Sequence, residues 1–263
     1  MTYKAGFIGA GNMGGALASA VYKVAQNIAV CDFDKAKTDA LAASMPSIAV
    51  VDADTVAKES RFVFLGVKPD AIGKVADKVA PALSADTVLV TMAAGVSLQD
   101  ICAAAKTNRC IRIMPNTPVA AQQGMILYCV GKGVSAEDEA EFLALLSGAG
   151  IVDKIDEKFI DAAAALSGCG PAFVYIFTEA LAEGAVKCGL PRDKALLYAK
   201  QTVFGSAAMM LGSDKHPERL KDEVCSPGGT TIEGVLALEK GAFRATAASA
   251  VTAAFEKTAK LKK

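Results

Sequence analysis

With 263 residues, 52% of them hydrophobic but only 6% aromatic and none tryptophan, the chain has room for one large or two ordinary domains and a real apolar core. Its 28 basic and 28 acidic residues balance, so no global field recommends a nucleic acid or an anionic membrane as partner. Seven scattered cysteines without a CxxC pair and the lone His216 argue against a disulfide framework and a His-rich metal site, and leave little scope for Ser-His-Asp chemistry.

The first element is Gly6–Gly15, GFIGAGNMGG, with an apolar strand ahead (Phe7, Ile8) and an Ala-rich amphipathic run behind (Ala16, Leu17, Ala20, Val21). Gly9, Gly11 and Gly14 give GxGxxG between a strand and a helix. In that setting Gly9 permits the tight turn, Gly11 lets backbone amides approach a pyrophosphate, and Gly14 allows close helix–strand packing. The helix start at Ala10, Asn12 and Met13 then offers unpaired N–H groups to an anion. Ile28–Cys31 is the second strand. Asp32 follows it at the ribose-reading distance, about 20 residues past the turn. Lys35 and Lys37 stand nearby as partners for a 2′-phosphate instead, and Asp34 is placed to cap the next helix.

Strand and helix then alternate. Ser47–Val51, Phe62–Val67, Thr87–Met92 and Cys110–Met114 read as strands, separated by helices over 54–59, 72–79 and from Leu98 onward. This pattern predicts an α/β, doubly wound parallel sheet of the Rossmann type. Ligands of such sheets lie beyond the carboxyl ends of the strands, which gathers Gly9, Asp32, Val67-Lys68-Pro69, Ala93 and Asn116. Met125–Val130, a charged helix from Ser135 to Leu146, and Ile151–Ile155 complete a first domain of residues 1–155. From 156 to 263 the alternation gives way to helical runs over 157–189, 191–211 and 230–261, a C-terminal all-helical domain. Ala165–Gly184 is apolar on nearly every side, as in a helix buried in a bundle or dimer interface.

Within that half, Cys225–Gly241 forms a second glycine loop before a helix. Thr230 and Glu233 have capping-box spacing. Ser226, Gly228, Gly229, Thr230 and Thr231 offer amides and hydroxyls to a small carboxylate without a fixed charge. Ser167–Phe173, SGCGPAF, puts glycines and a proline into a helix, either as a kink or to leave room for a ring. The terminal Lys257, Lys260, Lys262 and Lys263 read as a solvated helix end. The longest unbroken apolar runs, such as Met125–Val130, are about six residues, against roughly 18 for a bilayer span. No apolar leader precedes the first strand, so a soluble, cytoplasmic protein without membrane or nucleic-acid partners is expected.

Taken together, GFIGAGNMG, Val67-Lys68-Pro69, Ala93–Val96, Met114–Pro118 (MPNTP), LSGCGPAF and Val224–Gly234 (VCSPGGTTIEG) resemble the pyrroline-5-carboxylate reductase family across nearly the whole chain. The resemblance implies reduction of 1-pyrroline-5-carboxylate to L-proline, with NADPH as cofactor and NADH left open by Asp32. It implies a helical domain that dimerises and dimers that assemble into a larger ring. It also implies that the substrate carboxylate lies at Ser226, Gly229 and Thr230, with Thr231 as the catalytic residue beside the imine nitrogen. Two positions depart from the family pattern: Cys169 and Phe173 stand where Ser and Tyr are common. The nearest alternatives are another imine reductase, a β-hydroxyacid dehydrogenase, whose lysine base has no counterpart after Ser167–Gly170, and a nucleotide sensor without turnover.

Overall fold

The computed structural model describes residues 1–261; Lys262 and Lys263 of the basic tail lie outside the described residues. The chain forms two compact units, Met1–Cys169 together with the chain end from Ala254, and Gly170–Ala253.

The first unit is built on eight strands: β1 (Tyr3–Ile8), β2 (Ile28–Cys31), β3 (Ala49–Val50), β4 (Ser60–Leu65), β5 (Val88–Thr91), β6 (Cys110–Met114), β7 (Gly124–Val130) and β8 (Gly150–Lys154). Their order is β3-β2-β1-β4-β5-β6-β7-β8. Every neighbouring pair is parallel except β6 and β7, which run antiparallel with Ile111 opposite Val130 and Met114 opposite Leu127. The strands alternate their side chains between two apolar layers. Phe7, Phe62, Phe64, Val88 and Val90 face one side and pack with Leu17 and Val21 of α1 (Asn12–Tyr22). Val63, Leu65 and Leu89 face the other, against Ile72, Ala76 and Val79. At the centre of the first layer the Phe7 and Phe64 rings stack 4.6 Å apart.

The remaining helices of this unit are α2 (Lys35–Ser44), α3 (Ala53–Glu59), α4 (Pro69–Val79), α5 (Leu98–Ala105), α6 (Ala136–Leu146) and α7 (Ile160–Ser167). Asp34 caps α2 by accepting the Ala36 amide, as its position suggested. Helix α4 starts earlier than its apolar spacing indicates. Pro69 occupies its first turn, where the missing N–H costs nothing, so Asp70 lies inside the helix.

A polar network ties α6 to the sheet. Asp138, whose side chain is only 2% exposed, accepts from Arg61 and, at 2.8 Å, from Arg109. Arg61 also reaches Glu141 at 3.0 Å, and Lys4 pairs with the same carboxylate. Burial alone would raise the Asp138 carboxyl, but the Ser135 amide and the two guanidiniums outweigh it and hold its pKa below the ordinary range. The folded chain therefore binds fewer protons there than the unfolded chain. That stabilisation is complete above the unfolded carboxyl's pKa, about 4, and is lost as pH falls through the lower folded value.

The second unit consists of α8 (Gly170–Lys187), α9 (Arg192–Leu211), α10 (Pro217–Val224), α11 (Thr230–Lys240) and the beginning of α12 (Phe243–Leu261). Helix α10 breaks the loop expected between 211 and 230, with His216 at its start accepting the Glu218 amide. Helices α8 and α9 meet through Ala182, Ala195 and Ala199, the only fully buried apolar cluster of this unit among the described residues. Large apolar side chains are left exposed, among them Val174, Tyr175, Ile176, Leu197, Phe204 and Met209.

Asp138→Asn is expected to lower stability by about 3 kcal/mol at neutral pH, the low end for removing one partner of a buried ion pair. It should also flatten the acid dependence of unfolding. Urea titrations at pH 7 and at about pH 2 read both effects, and equal losses at the two pH values would count against the network.

Candidate functional site

The glycine turn is built by backbone contact. Gly9 has φ +103°, a left-handed conformation that L side chains rarely adopt. A Cβ on Gly14 would lie 2.1 Å from the Gly9 carbonyl oxygen, and one on Gly66, just past β4, 2.7 Å from the same atom. The start of α1 therefore sits directly on the ends of β1 and β4. At Gly11, by contrast, a Cβ would meet nothing within 4 Å. That glycine borders open space rather than packed backbone, and it caps α1 without any side-chain acceptor for the amides of Asn12 and Met13.

Asp32 braces this turn from the neighbouring strand. Its carboxylate accepts the Ala10 amide at 2.7 Å and the Asp34 amide at 2.9 Å. Lys37 stands 3.7 Å from Asp32 and 3.8 Å from Asp34. Burial opposes ionisation of Asp32, but the Asp34 and Ala10 amides and then Lys37 prevail and lower its pKa. The ribose-reading position is thus an ionised carboxylate with two of its roughly four acceptor sites already held by backbone. Adjacent Cys31 is pushed up to about 11, by burial first and the Asp32 charge second, so its thiol is neutral.

Two hollows flank the brace. One, of about 310 Å³, is lined by Gly9, Asp32, Phe33, Val51, Val67 and Lys78 and is mostly apolar. Phe33 projects into solvent at its rim, 97% exposed, unusual for a phenyl group. The other, of about 330 Å³, is lined by Ala10, Gly11, Asn12, Gly15, Lys37 and Ala120.

Lys68 and Pro69 lie exposed where β4 turns into α4, and Lys68 is the residue that starts that helix. Ala93 is buried past the end of β5, followed by Gly95 with φ +75°. Asn116 follows β6, and its amide is fully engaged: Nδ2 donates to the Ser167 carbonyl at 3.0 Å and Oδ1 accepts the Met125 amide at 2.9 Å. The parallel register thus brings Gly9–Gly14, Asp32, Val67–Pro69, Ala93 and Asn116 to one edge of the sheet. Gly66 belongs with them and escaped the sequence reading. Its signal was the glycine ending the Phe62–Leu65 strand, but only the structure shows which backbone it meets.

In the second unit the loop before α11 turns through Gly228, φ +68°, and closes with the Gly229 amide donating to Ser226 O at 3.0 Å. Helix α11 is capped by Gly229 with no side-chain bond, so Thr230 is its first helical residue and the expected Thr230–Glu233 capping box is not formed. Among the described residues no partner engages the hydroxyls of Ser226, Thr230 and Thr231, all of which are exposed. The first-turn amides and three hydroxyls are available together.

A strand–glycine turn–helix braced from β2, followed by a helical unit, defines a Rossmann-type nucleotide-binding protein. Residues 157–261 match the family model for pyrroline-5-carboxylate reductase dimerisation, and residues 4–95 match a model described as NADP oxidoreductase, coenzyme F420-dependent. The chain is 43% identical over 268 residues to the pyrroline-5-carboxylate reductase of Pisum sativum, covering 99% of this chain and 96% of that one. It is 40% identical over 268 residues to the enzyme of that name from Escherichia coli, covering both chains completely. A Plasmodium falciparum pyrroline carboxylate reductase solved with NADP bound superposes with a TM-score of 0.88 at 32% identity, over 99% of this chain and 98% of that one. The chain belongs to the pyrroline-5-carboxylate reductase family.

Gly14→Ala is expected to weaken nucleotide binding by roughly 10²-fold, because its methyl displaces α1 from the turn by about the distance known to disable a positioned site. Fluorescence titration with NADPH measures this, and unchanged affinity in a folded variant would contradict the contact.

Proposed function

We propose that this chain reduces 1-pyrroline-5-carboxylate to L-proline with NAD(P)H, the last step of proline synthesis. The reading rests chiefly on full-length family membership combined with a glycine turn that fits a dinucleotide. Residues 1–155 act as the dinucleotide domain and 156–263 as the substrate-binding and dimerising domain, a boundary that follows the family match from residue 157 and lies ahead of the compact-unit boundary at Cys169–Gly170.

The fit is tested by the turn itself. Gly9 and Gly14 are filled by backbone, whereas Gly11 opens outward beside uncapped amides, as a pyrophosphate cradle requires. Gly9, Ala10, Gly11, Asn12, Met13 and Gly14 would hold the pyrophosphate. Asp32 would offer its two remaining acceptor sites to the adenosine ribose, and Val67, Lys68, Pro69 and Ala93 would border the rest of the cofactor. When bound, the reduced nicotinamide supplies the hydride that the imine carbon accepts.

The chain's own contribution is binding, orientation and proton placement. Amides of Gly228 and Thr230, with the Ser226 hydroxyl, bind the substrate carboxylate at the start of α11, where the helix dipole favours an anion, while Gly229 shapes the cradle through its amide bond to the Ser226 carbonyl. The Thr231 hydroxyl hydrogen-bonds the ring nitrogen and orients the proton it carries. A protonated cyclic imine is already electrophilic, so a site without a charged acid suffices once geometry is set. Thr231→Ala is expected to lower kcat/KM by roughly 10²-fold, within the range for positioned proton transfer. Following NADPH and NADH oxidation with 1-pyrroline-5-carboxylate tests the reading. Nucleotide binding without oxidation would favour a sensor, and wild-type turnover by the Thr231 variant would remove its role.

The same reading places a second copy of the chain against the helical unit. The most apolar 18-residue window of Glu157–Lys187 has a mean hydropathy of 1.5, long and apolar enough to cross a membrane. The stretch is interrupted at Gly168–Cys169, however, and it lies within the segment matched by the dimerisation model. Together with the apolar side chains that α8 and α9 leave exposed, this supports a homodimer, with dimers assembling further into a ring. The free cysteines are consistent with residence in the cytoplasm. Light scattering after gel filtration without detergent should return twice the chain mass or a multiple. A monomer would refute the dimer, and recovery only in detergent would favour lipid.

A further inference from the structure

We infer that Asn116 is a positioning residue which, with Arg112, pins helix α7 across the carboxyl end of β6 and so fixes the Ser167–Gly170 break beside the cofactor crevice. The inference rests on the proposed reductase reading for its catalytic consequence, and on geometry alone for the clasp.

Asn116 is 8% exposed, and both halves of its amide are used within the protein. Ser167 ends α7, so its carbonyl lacks an intrahelical donor, and Asn116 Nδ2 supplies one at 3.0 Å. The Met125 amide, at the second residue of β7, needs an acceptor, which Asn116 Oδ1 provides at 2.9 Å. These partners also fix the orientation of the amide, because a carbonyl requires the NH₂ end and an N–H requires the oxygen. A side chain so engaged is poorly placed to serve as a cofactor ligand, the role its strand-end position suggested.

Four residues earlier, on β6 itself, Arg112 holds the other end of α7. Its guanidinium is 3% exposed and reaches Asp161, in the first turn of α7, at 3.0 Å and Glu157 at 3.1 Å. Glu157 in turn accepts the amide of Leu98, the first residue of α5, at 2.7 Å. One strand and the turn that follows it thus grip both ends of an eight-residue helix with buried polar groups. A buried guanidinium and a buried amide are costly unless partnered, and here their partners are the helix termini. The consequence is local: Ser167, Gly168 and Cys169 are held at the edge of the sheet where Gly9, Asp32 and Ala93 also end.

The experiment uses the full-length protein with Asn116→Asp, which keeps an acceptor for Met125 but replaces the donor to Ser167, and Asn116→Ala, which keeps neither. Expected are an NADPH dissociation constant within about twofold of wild type, and a kcat reduced roughly 10²-fold, as for a site misplaced by about 1 Å. Hydrogen exchange should accelerate at least tenfold in peptides covering 163–169 while peptides covering β1 and β4 stay unchanged. A tenfold rise in the NADPH dissociation constant with unchanged exchange over 163–169 would overturn the inference and make Asn116 a cofactor ligand. Unchanged kcat and exchange would overturn it as well. Should neither variant fold, wild type decides: the amides of Met125, Gly168 and Cys169 must exchange as slowly as those of β6, and rapid exchange there refutes the clasp. Should wild type fail to oxidise NADPH with 1-pyrroline-5-carboxylate, the functional reading falls while the binding and exchange measurements still judge the clasp.

Discussion

The arrangement depends on a backbone-to-backbone approach at which three glycines converge. Gly14 of α1, Gly66 at the end of β4 and the carbonyl of Gly9 lie so close that no Cβ fits between them. Close-packed interiors seldom let a helix approach a sheet at this distance, because side chains normally set the spacing. Removing the side chains brings the amide-bearing end of α1 onto the sheet edge, and with it a partial positive charge. The stacked Phe7 and Phe64 rings and the Leu17–Val21 face of α1 hold the rest of the helix in register. The turn is therefore rigid by packing rather than by any bond to a ligand.

Periodicity made most of the first unit legible. Short apolar strands alternating with amphipathic helices have few other solutions, and parallel crossovers then place the carboxyl ends of β1 to β6 on one edge. The antiparallel direction of β7 was not legible, since an apolar strand carries no mark of its direction. Only the short connection from Met114 to Gly124, too tight for a crossover helix, hints at the reversal. The capping box at Thr230 failed for a related reason. Glycine at 229 adopts the extended cap conformation at no cost, so the helix begins one residue earlier than the Thr–Glu spacing suggests. Helix α10 was hidden because its eight residues are mostly charged and present no apolar stripe.

Polar residues at strand ends proved hardest to interpret from sequence. Asp32 and Asn116 both stand where a carboxylate or an amide reads a ligand, and both are engaged by backbone. The reason is energetic. A buried polar group without a partner costs more than a typical hydrogen bond returns, so neighbouring backbone claims it before any ligand arrives. Such a side chain orients the backbone around it and keeps at most part of its bonding capacity for a ligand. A pyrophosphate or carboxylate held by oriented amides needs no fixed positive charge, in keeping with an overall balance of charge and with exposed but uncharged groups at Ser226–Thr231.

The helical unit obeys a different constraint. Alanines at 182, 195 and 199 let α8 and α9 lie close together, yet each removes little apolar surface from water. Helices with so small a private core gain most of their stability from an apolar face covered by another surface. The faces left open carry Val174, Tyr175, Ile176, Leu197 and Phe204, a share of bulk that the alanine contact cannot bury. The loop from Ser226 to Thr231 is carried by this same unit. On the proposed reading, covering those faces would also steady the amides of this loop, supplying the rigidity that the sheet-bearing unit obtains from its own core.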